Sequence, residues 1–432
     1  MLFSHSHTAR PQNPGRAGFS RAEFGSQMET SLSRNVLFAI IVALALMPSA
    51  SAQPANNSIV AWGWNADGVL NVPVPNSNFA AVAAGGYHVL GLKNDGSVVA
   101  WGRNANGQCN VPPPNTGFVA VAAGSLHSLC LKADGSILVW GINNAGQCEV
   151  PAPNSDFVAI AGGASHNLGL KANGSIVAWG LNDLGQCVVP EPNEGFVGVA
   201  CGGMHSLGLK ADGSIVAWGA NSYGQSDVPE PNTDFVSIAA GGHFSLGLKA
   251  DGSIVGWGAG SCGLTDWPHW GQTCVPEPNS GFMAIAAGAY HSLGLKDDGS
   301  IVSFGANYYG QSAVPAPNAG FVAVSAGVAF SVGLKPAAPP TAPSNVTAVR
   351  VARLTARVDW TDNSYDEDGF TIERQRRGGT TWGETTNFTV GPNVLTFTNA
   401  VTLKGRYRYR VQAFNGSGTS AWSTWVEIDL KN

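Results

Sequence analysis

A tryptophan–glycine pair recurs at Trp62, Trp101, Trp140, Trp179, Trp218 and Trp257, each 39 residues beyond the last, and a seventh copy, Phe304-Gly305, follows after 47. Such a period means that one supersecondary unit is repeated and that each copy buries its apolar surface against its neighbours. One copy reads Phe118-Val-Ala-Val-Ala-Ala-Gly, then His127-Ser-Leu-Cys-Leu-Lys132, then Asp134-Gly135, then Ile137-Leu-Val-Trp140-Gly141. The three apolar runs, bounded by Gly and Pro, predict short strands. Asp-Gly supplies the positive φ angles of a tight hairpin between the second and third. A fourth strand is expected only where the Val-Pro connector pairs. With 56 Gly and 25 Pro the chain is ill suited to helices, and 44% hydrophobic against 12% charged residues excludes disorder. The expectation is an all-β protein.

The ends of the array decide how the units are arranged. A Trp-Gly strand opens the series at Ser58–Gly63 with no Phe-Val-Ala-Val run before it, and the last copy, 321–335, has that run but no Trp-Gly strand after it. Six complete units lie between, and the two leftovers make a seventh. A split unit closes a ring, whereas an open solenoid needs atypical caps. The array therefore predicts a seven-bladed β-propeller over 58–335, closed by its N-terminal strand.

The flanks read differently. Val36 to Met47 is an apolar run preceded by Arg34 and followed by Ser49-Ala50-Ser51-Ala52, the pattern of a secretory signal cut after Ala52. The run is shorter than the ~20 residues that span a bilayer. Met28 opens a signal of ordinary length, which makes 1–27 an upstream extension of a 1–52 leader. The chain is expected to be secreted, extracellular or periplasmic, with no membrane span after cleavage. Residues 336–343, rich in Pro, predict a stiff linker. Residues 344–432 alternate as strands do, with Trp360 placed for a core and Arg406, Arg408 and Arg410 expected on a wet face; 362–368 is expected to be a solvated acidic loop.

Two resemblances follow from these motifs. Ala-Ala-Gly-x-x-His-Ser-Leu-x-Leu-Lys and Trp-Gly-x-Asn-x-x-Gly-Gln resemble repeats of the regulator-of-chromosome-condensation-1 (RCC1) type. The compact unit is most similar to secreted bacterial members, among them a propeller that inhibits β-lactamases. The 344–432 region resembles a fibronectin type III β-sandwich, in which Tyr407 would be the corner tyrosine. The resemblance implies a non-enzymatic protein-binding module that docks to or inhibits an extracellular protein. Its nuclear members imply the alternative of guanine-nucleotide exchange. Polysaccharide binding is a further alternative, with aromatic side chains stacking on sugars. Residues 53–343 carry eight basic against seventeen acidic side chains, the wrong sign for nucleic acid.

The repeats single out few chemical groups. His88, His127, His166, His205 and His291 recur once per unit, with Phe244 and Phe330 in the other two, so a ring keeps them apart. Packing and hydrogen bonding within each blade is expected, and no metal site, cofactor or catalytic residue is assigned. Cys109, Cys148 and Cys187 hold equivalent connector places, roughly 9–13 Å apart on adjacent blades, beyond disulfide reach. Cys130 and Cys201 fall inside strands. Cys262 and Cys274 bracket the eight-residue insertion and are the candidate disulfide. The positions freed from the repeat are the candidate partner-binding rim: Tyr87, Leu126, Met204, His243 and Tyr290 before the histidine place, Trp64, Tyr223, Tyr308 and Tyr309 after Trp-Gly, and Trp267 and Trp270 in the insertion. The partner is an unknown protein or cell-surface ligand, and a monomer is expected.

Overall fold

The computed structural model describes residues 56–263, 268–364, 367–392, 394–415 and 418–431, all of them in strands, turns and loops. The leader and its cleavage site lie outside the described residues, as does Trp267.

Each complete repeat is a three-stranded antiparallel sheet. In blade 1 the inner strand is Phe79–Ala84, the middle strand His88–Lys93 and the outer strand Val98–Gly102. Blades 2 to 6 repeat this from Phe118, Phe157, Phe196, Phe235 and Phe282. Blade 7 is assembled from both ends of the array: Ala323–Ala326 pairs with Phe330–Pro336, which pairs with Asn57–Gly63. The inner strand of blade 7 packs beside that of blade 1 as every other inner strand packs beside its neighbour. The ring is closed.

Among the described residues no blade has a fourth strand. Its place is taken by one asparagine per connector. Asn115 accepts the Val98 N–H at 2.7 Å and donates to the Val98 carbonyl at 2.9 Å, so its amide imitates a strand residue on the sheet edge. Asn76, Asn154, Asn193, Asn232, Asn279 and Asn318 do the same for the outer strands that start near Ile59, Ile137, Ile176, Ile215, Ile254 and Ile301. An edge so covered offers less to a foreign strand.

The apolar cores lie between blades. Leu90, Leu92 and Val98 of blade 1 pack with Phe118, Cys130 and Trp140 of blade 2. The closing seam has the same construction: Ile59, Phe330, Val332 and Leu334 of blade 7 meet Phe79, Val89 and Trp101 of blade 1. Around the axis the inner strands end in small residues, including Ala84, Gly162, Cys201 and Ala326, and leave a channel of about 760 Å³.

One end of that channel is tied by a circuit of backbone hydrogen bonds. Gly86 donates to the Gly124 carbonyl, Ser125 to Gly163, Ala164 to Gly202, Gly203 to Gly241, Gly242 to Ala289, Ala289 to Gly327 and Val328 to Gly86. Glycine is required by close approach: a Cβ on Gly124 would stand 2.6 Å from the Gly163 carbonyl and 2.1 Å from the His127 ring.

The C-terminal region is β-rich. One sheet pairs Ser344–Ala352, Thr355–Thr361 and Thr396–Ala400; the other centres on Gly405–Asn415, flanked by Gly369–Gly378 and Val426–Leu430. They share a core that contains Trp360, Phe370, Tyr407 and Val411. The Tyr407 hydroxyl donates to the Leu403 carbonyl at 2.7 Å. Two expectations are corrected here. Arg408 and Arg410 do not simply face water: Arg408 lies between Trp382 and Trp425, and Arg410 between Trp425 and Trp422, at 4.1–4.5 Å from the ring centres. Arg410 also pairs with Glu373, and an apolar cover of this kind is favourable for a guanidinium. The acidic loop is only partly solvated, since Glu367 is buried and Asn363 donates to the Ala342 carbonyl of the linker. Tyr365 and Asp366 lie outside the described residues.

Candidate partner-binding face

The recurring histidines are structural, and they join blades instead of staying within one. Ser128 gives its only hydroxyl hydrogen to the Gln108 carbonyl, so His88 must carry a proton on Nε2 and donate it to Ser128 Oγ at 2.8 Å. The same logic fixes the tautomer of His166 on Ser206, His205 on Ser245 and His291 on Ser331, while His127 donates to Asn167 Oδ1. The tryptophan of each next blade reaches the same carbonyl, as Trp140 Nε1 reaches Gln108 O at 2.9 Å. The correction is one of direction: every histidine bond crosses a seam. Burial pushes the histidine pKa down, to about 3 for His88 and His205 and to about 4 for His127, His166 and His291. Among the described residues no three His, Cys, Asp or Glu side chains come together to hold a metal ion.

Cys109, Cys148 and Cys187 are free thiols that donate to the carbonyls of Arg103, Ile142 and Leu181 at 3.2–3.3 Å. Ser226 and Ser312 make the corresponding bond in blades 4 and 6, so the thiol stands in for a hydroxyl. Burial raises the Cys109 and Cys187 pKa to about 11, which keeps them unreactive thiols.

The side chains freed from this framework gather on one face. Turns between inner and middle strands carry Tyr87, Leu126, Met204, His243 and Tyr290, and the outer strand returns to the same end, since Arg103 N–H donates to the Tyr87 carbonyl. The Asp-Gly hairpins and the lysines of the middle strands occupy the opposite face. The chain leaves the ring at that hairpin side, past Lys335, where Ala337 N–H donates to the Asn56 carbonyl and Asn415 of the C-terminal region donates to the Ala338 carbonyl of the linker.

Much of the turn face is a string of aromatic rings. Trp64 of blade 7 meets Tyr87 of blade 1 edge-on at 5.9 Å and Tyr309 of blade 6 at 6.3 Å. Next to Tyr309 in sequence, Tyr308 meets Trp270 of the blade 5 loop at 5.1 Å. His269, beside Trp270, lies 6.3 Å from Tyr223 of blade 4, and Tyr223 lies 5.1 Å from His243. Arg103, which holds in blade 1 the place of Trp64 after Trp-Gly, extends the string over Tyr87 at 5.6 Å. Tyr308 and Tyr309 stand 69% and 59% exposed, so the string is solvent-facing where it passes over blade 6. Leu126 and Met204 lie outside it, on the aliphatic half of the face, and Tyr290 sits half-buried in its turn.

The insertion is built to hold its share of the rings. Cys262 and Cys274 are disulfide-bonded, with Cα atoms 5.2 Å apart. Gly260 N–H donates to His269 Nδ1 at 2.9 Å, and the Gln272 amide binds the Pro268 carbonyl and the Trp270 N–H.

Comparison with known proteins agrees with the repeat. Residues 79–108, 118–147, 157–186, 196–225, 235–264 and 284–311 match the family model described as the regulator of chromosome condensation (RCC1) repeat, so the chain carries six RCC1 repeats. The seventh blade escapes a linear match because its strands come from the two ends of the array. No curated protein matches the chain. Among solved structures, Prp20p of Saccharomyces cerevisiae, reported with its binding to Gsp1p and histones, is similar at a TM-score of 0.54 and 20% identity, over 69% of this chain and 94% of that one. Yeast RCC1 (Prp20) bound by Kap60 is similar at 0.55 and 19%, over 77% and 96%. Human WBSCR16 is similar at 0.52 and 20%, over 65% and 100%. At this identity the likeness is one of fold: an RCC1-like β-propeller.

Proposed function

We propose that this protein is an exported, non-enzymatic recognition propeller that takes a protein partner on its turn face, docking to it or inhibiting it outside the cell. The observation that carries the reading is the string of Trp, Tyr and His rings that runs from blade 4 through the ring seam to blade 1. Rigid aromatic side chains are the residues that dominate protein interfaces, because they bury much area at little entropic cost. The framework beneath them is fixed by seam-crossing bonds, so little ordering is needed on binding. Export rests on the apolar run at 36–47 and the small residues before Gln53. The shared core around Trp360 and the Tyr407–Leu403 bond support reading 344–432 as a fibronectin type III module, a spacer or adhesive unit. Inhibition of an extracellular enzyme, as by the secreted propellers that the compact repeat resembles, is one form such docking would take.

Nucleotide exchange on a GTPase fits less well with an exported chain whose propeller is acidic. Polysaccharide binding fits less well with rings set tilted or edge-on to one another, which offer no common flat platform for a run of sugars. The test uses the full chain and its W64A/Y309A variant as bait for extracellular proteins and cell-wall glycans presented separately. The reading expects a protein partner that the variant binds at least 10-fold more weakly. Equal binding by both baits, or retention of glycans alone, would overturn it, as would accelerated nucleotide release from a GTPase.

A further inference from the structure

We infer that blades 2 to 4 carry a second contact surface on the turn face, separate from the aromatic string and suited to an amphipathic, basic helix of a protein partner. Its centre is aliphatic. Leu184 is 51% exposed, Val188 61% and Met204 41%. Leu184 and Met204 hold, one blade earlier, the repeat places of Tyr223 and His243, whose rings touch at 5.1 Å. The repeat therefore sets Leu184 beside Met204 across the seam between blades 3 and 4, with Val188 in the same loop as Leu184. Other exposed propeller aliphatics such as Val158, Met283 and Val322 fall singly, one per blade, where the inner strands begin at the opposite end.

The frame around this centre is anionic. Glu149 and Asp227 fill in blades 2 and 4 the place that Val188 fills in blade 3, and Asp183 precedes Leu184; all three are exposed. Glu149 accepts a hydrogen bond from Asn143 and Asp227 one from Asn221, both neutral donors that leave the charge in place. None of the three forms an ion pair among the described residues. The lysines of blades 3 and 4 cannot reach them. Lys171 and Lys210 leave on the hairpin side, where the carbonyls of Pro153 and Pro192 hold them over the rings of Phe157 and Phe196.

An exposed apolar group ringed by uncompensated carboxylates is complementary to a helix with apolar side chains at i, i+3 or i+4 and i+7, and Lys or Arg along both flanks. Burial supplies the affinity and the charges set orientation and on-rate.

The test measures binding of three labelled 18-residue peptides to the full chain by fluorescence anisotropy: a Leu/Lys amphipathic helix, a Leu/Glu helix of the same pattern, and a Lys/Ser peptide without apolar side chains. The Leu/Lys helix is expected to bind at least 10-fold tighter than either control. L184S/M204S and E149K/D183K/D227K are each expected to weaken it at least 10-fold, while W64A/Y309A leaves it unchanged. The inference fails if L184S/M204S has no effect, or if the Leu/Glu or Lys/Ser peptide binds as tightly. Loss of binding in W64A/Y309A would also overturn it, since the site would then be the aromatic string. Sedimentation that shows a dimer dissolved by L184S/M204S would assign the patch to a second copy of the chain, against the inference. Because W64A/Y309A reports on the aromatic string alone, this surface and the proposed function can fail separately.

Discussion

The seam bond from each histidine to the next blade obeys a rule that the molecule states twice. Where blade 7 has Phe330 in the histidine place, blade 1 has Val89 in the serine place, so donor and acceptor are both absent. Where blade 5 has Phe244, Ser292 remains but still donates to the Gln272 carbonyl at 2.6 Å. A lost donor is therefore tolerated, whereas a lost acceptor would strand a buried N–H. H166F is expected to change stability by no more than about 1 kcal/mol, while S206A, which leaves His166 Nε2–H without a partner, costs about 1–3 kcal/mol in urea denaturation. Acid acts on the same groups. Burial holds these imidazoles at a pKa of about 3 or 4 in the fold, against 6.5 for an ordinary histidine. The unfolded chain takes up protons below pH 6.5 and the native one does not, so stability is full above that pH and falls toward pH 4. Each imidazole contributes a loss of up to about 1.4 kcal/mol per pH unit across that window. Urea midpoints measured between pH 7 and pH 4 should show this, with a shallower slope in H166F; a flat profile would contradict it. The sequence showed one such histidine in each of five repeats, which a ring keeps apart. It hid their direction, since a bond to the residue 40 positions on is visible only once adjacent blades are superposed.

The strands themselves were legible from the alternation of short apolar runs with Asp-Gly and Gly pairs, and the three runs became three strands. The outer edge was not legible. The Pro-Asn step in every connector looks like turn chemistry, yet its amide completes the sheet, a role that needs the strand and the connector in register. Asn193 accepts from Ile176 N–H and donates to Ile176 O, so N193A removes two bonds at once. The expected loss is about 1–3 kcal/mol in thermal or urea unfolding, with the strand Ile176–Gly180 gaining the fastest amide exchange in its blade. Unchanged stability would mean that water replaces the amide without cost. The insertion shows the same limit of local reading. Two cysteines bracketing extra residues suggested a staple, but nothing local showed that His269 and Trp270 would lean on blades 4 and 6 respectively.

At the scale of the molecule, seven apolar cores lie in seven seams, and the seam between blades 7 and 1 is built like the rest. That follows from the single strand left over at the start of the array and the pair left over at its end, the one global feature that a linear sequence displays openly. Which residues share a face did not follow from it. The variable turn residues and the variable residues after Trp-Gly are 16 to 19 positions apart, as Tyr87 and Arg103 or Met204 and Tyr223 are, and they meet because the middle strand begins and the outer strand ends at the same rim. Both proposed surfaces, the aromatic string and the aliphatic patch, depend on the ring being shut, for the string passes directly over the closing seam from Tyr309 to Trp64 to Tyr87. The most direct test is native-state hydrogen exchange of the full chain, resolved to single strands. Amides of Asn57–Gly63 are predicted to exchange as slowly as those of their partner strand Phe330–Pro336, both opening only with the whole ring. Exchange of Asn57–Gly63 within seconds, at the rate of an unpaired terminus while the partner strand stays protected, would contradict the closed ring.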